Sequence, residues 1–169
     1  TISDNLFVEY GVNRGLRDLN GKGVLTGLTT ISKITSFKDD ENGKSVPCDG
    51  ELWYRGYNVQ NLIKSLSPDE FGFEKTAYLL LFGELPTDKQ LKEFQTVLAK
   101  NRRLPTNFVR DVIMKAPSKD IMNSLTKSVL TLASYDDKVT DNSLENVLSQ
   151  SIMLISVFPM LAVYGYHAY

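Results

Sequence analysis

Cysteine, histidine and tryptophan each occur once in these 169 residues. A lone Cys48 cannot close an intrachain disulfide, and with His167 it is too small a set for a common zinc site, so no metal site is read here. Charge of one sign is also missing. Nineteen Lys plus Arg (19) against 20 Asp plus Glu leave a net charge of -1, without the basic excess that a nucleic-acid-binding face requires. Lys100, Arg102 and Arg103 form the one basic cluster, and it reads as a solvated helix end. There is no low-complexity segment, no internal repeat and no phosphate-loop pattern between Tyr135 and Asp141. Residues 1–15 mix charges and glycines, so no signal sequence is read there, and a reducing, cytoplasmic setting is expected. The one long apolar run, Ile152 to Tyr169, is interrupted by Ser156, Pro159, Gly165 and His167, which points to a buried helix over a membrane span.

What remains is an ordinary globular composition, 42% hydrophobic and 23% charged, long enough for one domain with one core. Residues 1–13 carry no strong period, and Leu6, Phe7, Val8 and Tyr10 read as an extended arm or short strand. Asn20-Gly21 is a turn signal, and the β-branched stretch from Val24 to Ile34 predicts one or two short strands. Asp39 to Lys44 is polar and holds Asn42-Gly43, the loop of a hairpin whose return strand includes Glu51 to Tyr54. Val59, Leu62, Ile63 and Leu66 then recur at helical steps, so β structure is expected to end at Gly56.

Asn58 is expected to cap the first helix, which Ser67-Pro68 ends, and Pro68-Asp69-Glu70 starts the next. The segment Glu70 to Phe82 is apolar nearly all round, which predicts deep burial, with Gly83 at its C-cap. Thr87 and Gln90 predict a capping box for a helix bearing the stripe Leu91, Phe94, Val97 and Leu98. Pro105-Thr106 opens a helix with Phe108, Val109, Val112 and Ile113; Ser118 caps another that carries Ile121, Met122, Leu125, Val129, Leu130 and Leu132 inside and ends near Ser134. The last helix is placed from about Asn142, with Glu145 as capping partner, Leu144, Val147, Leu148, Ile152 and Ile155 toward the core, and a kink at Pro159. The fold class is therefore mainly α, with an N-terminal arm and a short antiparallel β-hairpin region over 1–57 and a helical portion over 58–169.

Two blocks of wording go beyond periodicity: Leu52-Trp53-Tyr54-Arg55-Gly56-Tyr57, and Tyr78-Leu79-Leu80-Leu81-Phe82-Gly83-Glu84-Leu85-Pro86-Thr87. In order and spacing they resemble the N-terminal region of citrate synthases, where an aromatic-Arg-Gly-Tyr hairpin end leads into a helix finishing in Tyr-Leu-Leu-Leu-x-Gly-Glu-Leu-Pro-Thr. Pro159, Ala162 and Tyr166 reproduce a Pro-x-x-Ala-x-x-x-Tyr setting of the same family. The resemblance runs from about Gly15 to Tyr169 and covers less than half of the family's usual length. It implies a multi-helical fragment of the large domain of a citrate synthase. Such an enzyme condenses acetyl-CoA with oxaloacetate and water to give citrate and CoA in the tricarboxylic acid cycle. Acetyl-CoA is a substrate there, no separate cofactor is expected, and the enzyme is a homodimer.

In the family, the Asp that takes the acetyl proton, the two catalytic histidines and the carboxylate-binding arginines lie beyond the matched region. The resemblance thus implies no catalytic residue in this chain, which by itself is expected to be inactive. The residues agree, because proton abstraction beside a thioester carbonyl needs a base and an electrophile at the developing oxyanion, and His167 cannot fill two imidazole roles. It reads as a surface or partly packed histidine. Asp39-Asp40 and Asp136-Asp137 lie in turn sequences and read as solvated, and Cys48 has no partner histidine to activate it. Arg17, in Gly15-Leu16-Arg17, matches a Gly-Leu/Met-Arg word whose arginine is associated with CoA phosphate contacts in the family; the alternative is a surface salt bridge. Arg55 reads as structural, pairing with a carboxylate or capping carbonyls. Lys138 stands where some relatives carry another arginine.

A 2-methylcitrate synthase, which accepts propionyl-CoA, fits the same motifs, since one methylene changes discrimination by only ~1–3 kcal/mol and the pocket residues lie elsewhere. A noncatalytic helical interaction module is the alternative of a different class. The end at Tyr169, in mid-helix without a C-cap, favours a truncated enzyme over that module. Leu79, Phe82, Ile155, Phe158, Leu161 and Tyr164 belong to an apolar surface larger than one short helical set can hide, which predicts a homodimer or higher self-association. Neither a nucleic-acid nor a membrane partner is expected.

Overall fold

A computed structural model describes residues 2–66 and 71–169 and divides into two compact units, Thr1–Leu91 and Lys92–Tyr169. The expected helix end at Ser67-Pro68 and the start at Pro68-Asp69-Glu70 lie outside the described residues. The first unit opens with α1 (Asp4–Glu9), where an extended arm or strand was expected. Asp4 in its first turn complements the positive end of the helix, a signal that the weak apolar pattern concealed. The stretch from Val24 to Thr29 has no regular structure, and the early β expectation reduces to a single bridge, Arg17 with Gly23, ahead of β1 (Ser32–Asp39).

β1 and β2 (Ser45–Tyr54) form the antiparallel hairpin, joined by the expected polar loop. The Asp40 carboxylate accepts from the N–H groups of Asn42 and Lys44, both at 2.9 Å, and Gly43 supplies a φ of 74°. Register shifts between Thr35↔Glu51 and Phe37↔Pro47, so extra β2 residues around Cys48 bulge out of the ladder. Pro47 is tolerated because β3 (Tyr57–Asn58) pairs only with the far end of β2, at Trp53 and Tyr54. β structure thus continues two residues past the expected end at Gly56. Arg55 (φ 47°) and Gly56 (φ 87°) form the loop between β2 and β3, with positive φ at both positions as a type I′ hairpin requires.

Asn58 caps α2 (Val59–Ser65), accepting from Gln60 N–H at 3.0 Å and Asn61 N–H at 3.4 Å. α3 (Gly72–Phe82) ends on Gly83, whose φ of 90° and N–H bond to the Leu79 carbonyl at 2.8 Å make the expected C-cap. Its deep burial is not observed. Leu79 is fully buried, but Phe71, Phe73 and Phe82 are exposed, because periodicity identifies apolar positions without stating how much chain covers them. α4 (Asp88–Asn101) begins on the expected box: Thr87 N–H donates to Gln90 Oε1 at 2.8 Å and Gln90 N–H donates back to Thr87 Oγ1 at 3.4 Å. Leu91, Phe94 and Leu98 are its buried stripe, while Val97 is exposed.

The second unit packs around Phe108, Ile113, Leu132, Val157 and Leu161. The helix expected after Pro105 is a single π-helical turn, Val109–Ile113. Next, α5 (Ile121–Leu132) is capped by Asp120, which accepts from Asn123 N–H at 2.9 Å; Ser118, the expected cap, instead accepts from the Asp120 N–H at 3.1 Å. Two competent caps lie two residues apart, and a carboxylate gains more from the helix dipole than a hydroxyl does. Met122 and Leu130, expected inside, are exposed, whereas Ser124 and Ser128 are buried. A 3-10 turn, Ala133–Tyr135, ends the helix near the expected Ser134.

α6 (Leu144–Ala168) starts on Ser143, whose hydroxyl accepts from Asn146 N–H at 3.4 Å, so the cap lies one residue past Asn142 and Glu145 is not its partner. The helix passes through Pro159 without ending. Its buried positions are Ser156, Val157, Leu161 and Gly165, while Leu144 and Val147 are exposed. Small residues let α5 and α6 approach closely: a Cβ added at Gly165 would stand 3.9 Å from that of Ser124. By length and composition α6 could cross a membrane, with a mean hydropathy of 1.8, yet its Val157 and Leu161 belong to the packed cluster of this unit. The architecture is mainly α with one three-stranded antiparallel sheet, in the order β1-β2-β3.

Candidate functional site

Arg17 stands at the base of a tight turn that the sequence builds locally. The Asp18 carboxylate accepts from the N–H groups of Asn20 and Lys22, both at 2.9 Å, and Gly21 takes a φ of 78°. The Arg17 guanidinium donates one bond across this turn, from a terminal nitrogen to the Gly21 carbonyl at 2.7 Å. It is solvent-exposed, and among the described residues it has no carboxylate partner, so the surface salt bridge weighed from sequence is not formed there. The remaining N–H groups keep the fork geometry that suits a phosphate.

Arg55 is structural in the way expected, with one terminal nitrogen donating to the Leu80 carbonyl at 3.0 Å. Leu80 lies in the last turn of α3, where carbonyls lack intrahelical donors, so the guanidinium fills a need that the helix end creates. Within the first unit Cys48 is half-buried in the bulged part of β2 and shares no bond with Arg17. Nearby, Lys38 pairs with Glu51 at 2.7 Å; that bond raises the Lys38 pKa and, together with the Trp53 indole N–H, lowers that of Glu51.

In the second unit His167 is exposed in the last turn of α6, edge-on to the Tyr166 ring at 5.6 Å. Asp136, expected to be solvated, is half-buried and holds two donors, Lys138 N–H at 2.8 Å and Gln150 Nε2 at 2.8 Å. Asn146 Nδ2 bonds the Lys138 carbonyl at 2.9 Å and the Asp141 carbonyl at 2.8 Å, tying the polar connection to the start of α6. These groups border a cleft of about 660 Å³ whose wall includes Arg103, Tyr135, Asp136, Lys138, Asn146 and Gln150. Sequence reasoning missed it, because Arg103 and Gln150 meet only once the chain between them has folded back. Both charge signs and three amides, Asn101, Asn146 and Gln150, line it, but no thiol or imidazole does.

Comparison with known proteins identifies the lineage. The family model described as citrate synthase, C-terminal domain, matches residues 18–169. The chain belongs to the citrate synthase family. That description differs from the N-terminal placement the motifs imply, but both assign the same family. Among curated relatives, 2-methylcitrate synthase 1 of Corynebacterium glutamicum is 29% identical over 139 residues, covering 82% of this chain and 32% of that protein. Citrate synthase of the same organism is 30% identical over 146 residues, 86% of this chain and 30% of the relative. The citrate synthase of Saccharolobus solfataricus is 29% identical over 130 residues, 76% and 31% of the two chains. The chain therefore spans about a third of the length of these citrate synthase relatives.

Solved structures agree on the fold. Citrate synthase from Pyrobaculum aerophilum superposes with a TM-score of 0.64 at 26% identity, over 90% of this chain and 38% of that one. The citrate synthase of Thermoplasma acidophilum, in its ternary complex with carboxymethyl coenzyme A and oxaloacetate, gives a TM-score of 0.67 at 23% identity, over 86% and 34%.

Proposed function

We propose that this chain is part of a citrate synthase, an enzyme that joins acetyl-CoA to oxaloacetate. In this reading it supplies scaffold and a CoA phosphate contact, while the groups that perform the condensation lie in the remainder of the family's length. The observation that carries the reading is the family match over residues 18–169 on a chain whose one imidazole, His167, is exposed at a helix end beside Tyr166. A Claisen condensation needs a base to remove the acetyl proton and a donor to hold the enolate oxygen. Asp136 and Asp40 each already accept two N–H bonds, and with a single imidazole in the chain the set of base and donors that a condensing site needs is incomplete. The 169 residues by themselves are accordingly inactive.

Arg17 is the contact for the CoA phosphate. Support comes from its exposure, its lack of a carboxylate partner among the described residues and the rigid turn that holds it through Gly21. The Thermoplasma relative, solved in complex with a coenzyme A derivative and oxaloacetate, supports the substrate class. The test compares CoA with dephospho-CoA binding. Arg17→Ala is expected to weaken CoA roughly ten-fold, the usual loss for one charged hydrogen-bonded contact, and to leave dephospho-CoA unchanged. Equal losses for both ligands, or none for either, contradict the assignment.

A second reading, 2-methylcitrate synthase, is favoured by the C. glutamicum 2-methylcitrate synthase matching at 29% identity, level with the citrate synthases. It differs only in the acyl group, propionyl in place of acetyl, and shares every role given to this chain.

A further inference from the structure

We propose that a cleft in the first unit, beside the Arg55-Gly56 loop, binds the phosphate group of a small solute. The cleft has a volume of about 340 Å³, and its wall includes Thr29, Thr30, Ser32, Lys33, Trp53 and Arg55. The sheet register explains why these residues meet. Lys33 pairs with Trp53 across the β1–β2 ladder, and the Arg55 N–H extends that ladder to the Ile31 carbonyl at 2.8 Å, so Lys33 and Arg55 flank the indole.

Among the described residues, neither cation on this wall has a directly bonded carboxylate, although Glu51 lies within the field of Lys33. Two cations line it and no carboxylate does. The nearest acid in the register, Glu51, is taken by Lys38 at 2.7 Å and by the Trp53 indole N–H at 3.4 Å. Among the described residues neither Lys33 nor Arg55 forms an ion pair. Arg55 spends one terminal nitrogen on a neutral acceptor, the Leu80 carbonyl, and its Nε–H is buried without any acceptor. A half-buried guanidinium bonded only to a neutral acceptor is stabilised electrostatically by an anion brought near it, even one that does not bond its Nε–H. Because Nε is closed to solvent, the anion meets Lys33 and the hydroxyls directly and acts on the guanidinium through its field.

The rest of the wall supplies donors of the right kind. Thr29 Oγ1 accepts from the Ile31 N–H at 3.1 Å, which leaves its own hydrogen to donate. The Thr30 and Ser32 hydroxyls have no bonded partner among the described residues. Hydroxyls and cations around one small cavity match an oxyanion, and two positive charges match a dianionic phosphate better than a single carboxylate. The Trp53 ring leaves an apolar wall for the organic body of the ligand.

The experiment titrates the isotope-labelled 169-residue chain with inorganic phosphate at constant ionic strength, following amide signals from Thr30 to Lys33 and the Trp53 indole N–H by NMR. Saturating shifts confined to these groups are expected. Lys33→Met, on an exposed strand position, is expected to weaken binding roughly ten-fold, and Thr30→Val to weaken it less. Acetate at the same ionic strength is expected to bind more weakly than phosphate. Shifts that never saturate, saturation centred elsewhere, or equal affinity in Lys33→Met overturn the site. Acetate binding tighter than phosphate overturns the choice of ligand.

Discussion

The Arg55 guanidinium reaches 25 residues along the chain to the Leu80 carbonyl, at 3.0 Å. This bond ties together the two sequence blocks that carry the family resemblance, the Tyr-Arg-Gly-Tyr hairpin end and the Tyr-Leu-Leu-Leu helix end. It also explains why an arginine occupies a left-handed position, φ 47°, that glycine or asparagine would adopt at lower cost. The side chain offsets the strain of its own backbone by filling a last-turn acceptor.

Replacing this arginine therefore leaves a partly buried carbonyl unmet while the backbone strain persists. Arg55→Met is expected to lower unfolding stability by about 1–3 kcal/mol, the range for a charged hydrogen bond lost with its partner left behind. Urea unfolding measures it. An unchanged midpoint would show that the Leu80 carbonyl finds water as easily as it finds the guanidinium.

A pH effect follows from Asp111. Arg110 donates to both of its carboxylate oxygens, at 2.9 and 2.8 Å, with Lys115 adding a contact at 3.5 Å. The Arg110 bonds lead in holding the Asp111 pKa at about 2, below its ordinary 3.8. Between those values the native state binds fewer protons than the unfolded chain, so the stabilisation is complete above that range and is lost as the pH falls through it. The group is solvent-exposed and the effect is correspondingly small. Asp111→Asn is expected to flatten the acid limb of a plot of urea midpoint against pH and to change little near neutrality. An acid limb of unaltered slope in the variant would place the proton uptake elsewhere.

Some of this structure was legible from residues alone. Asn58, Gly83 and the Thr87–Gln90 pair were readable because a cap is decided by one or two side chains within a single turn. Burial was not. Met122, Leu130 and Leu144 have helical spacing yet lie outside, since spacing defines a face and only tertiary packing decides whether that face is covered. For the candidate site, the turn around Arg17 was visible in Asn20-Gly21, but the Gly21 carbonyl as the guanidinium's partner was not. The cleft beside Arg55 was not legible because Glu51 bonds Lys38 directly and Lys33 not at all, a choice among neighbours that sequence does not rank.

Self-association is expected from the exposed part of α6. Leu161 and, in α3, Leu79 are buried, so they leave the set of residues first expected to drive it. Phe158, Val163, Tyr164 and Tyr166 remain exposed on the C-terminal half of α6, mostly aromatic residues of the kind that become buried at interfaces. Light scattering coupled to gel filtration is expected to show a mass that rises with protein concentration, and Phe158→Ser with Tyr164→Ser to return it toward monomer. A monomer at every concentration would mean that this surface is stable in water.

The most direct measurement of the central claim is the release of CoA from acetyl-CoA by the purified 169-residue chain, with and without oxaloacetate. The account predicts no oxaloacetate-dependent release at any pH, because the chain carries one exposed imidazole and its turn carboxylates at Asp40 and Asp136 are already bonded. Oxaloacetate-dependent turnover that Arg17→Ala slows and His167→Ala abolishes would contradict it, and would make these residues a condensing site in their own right.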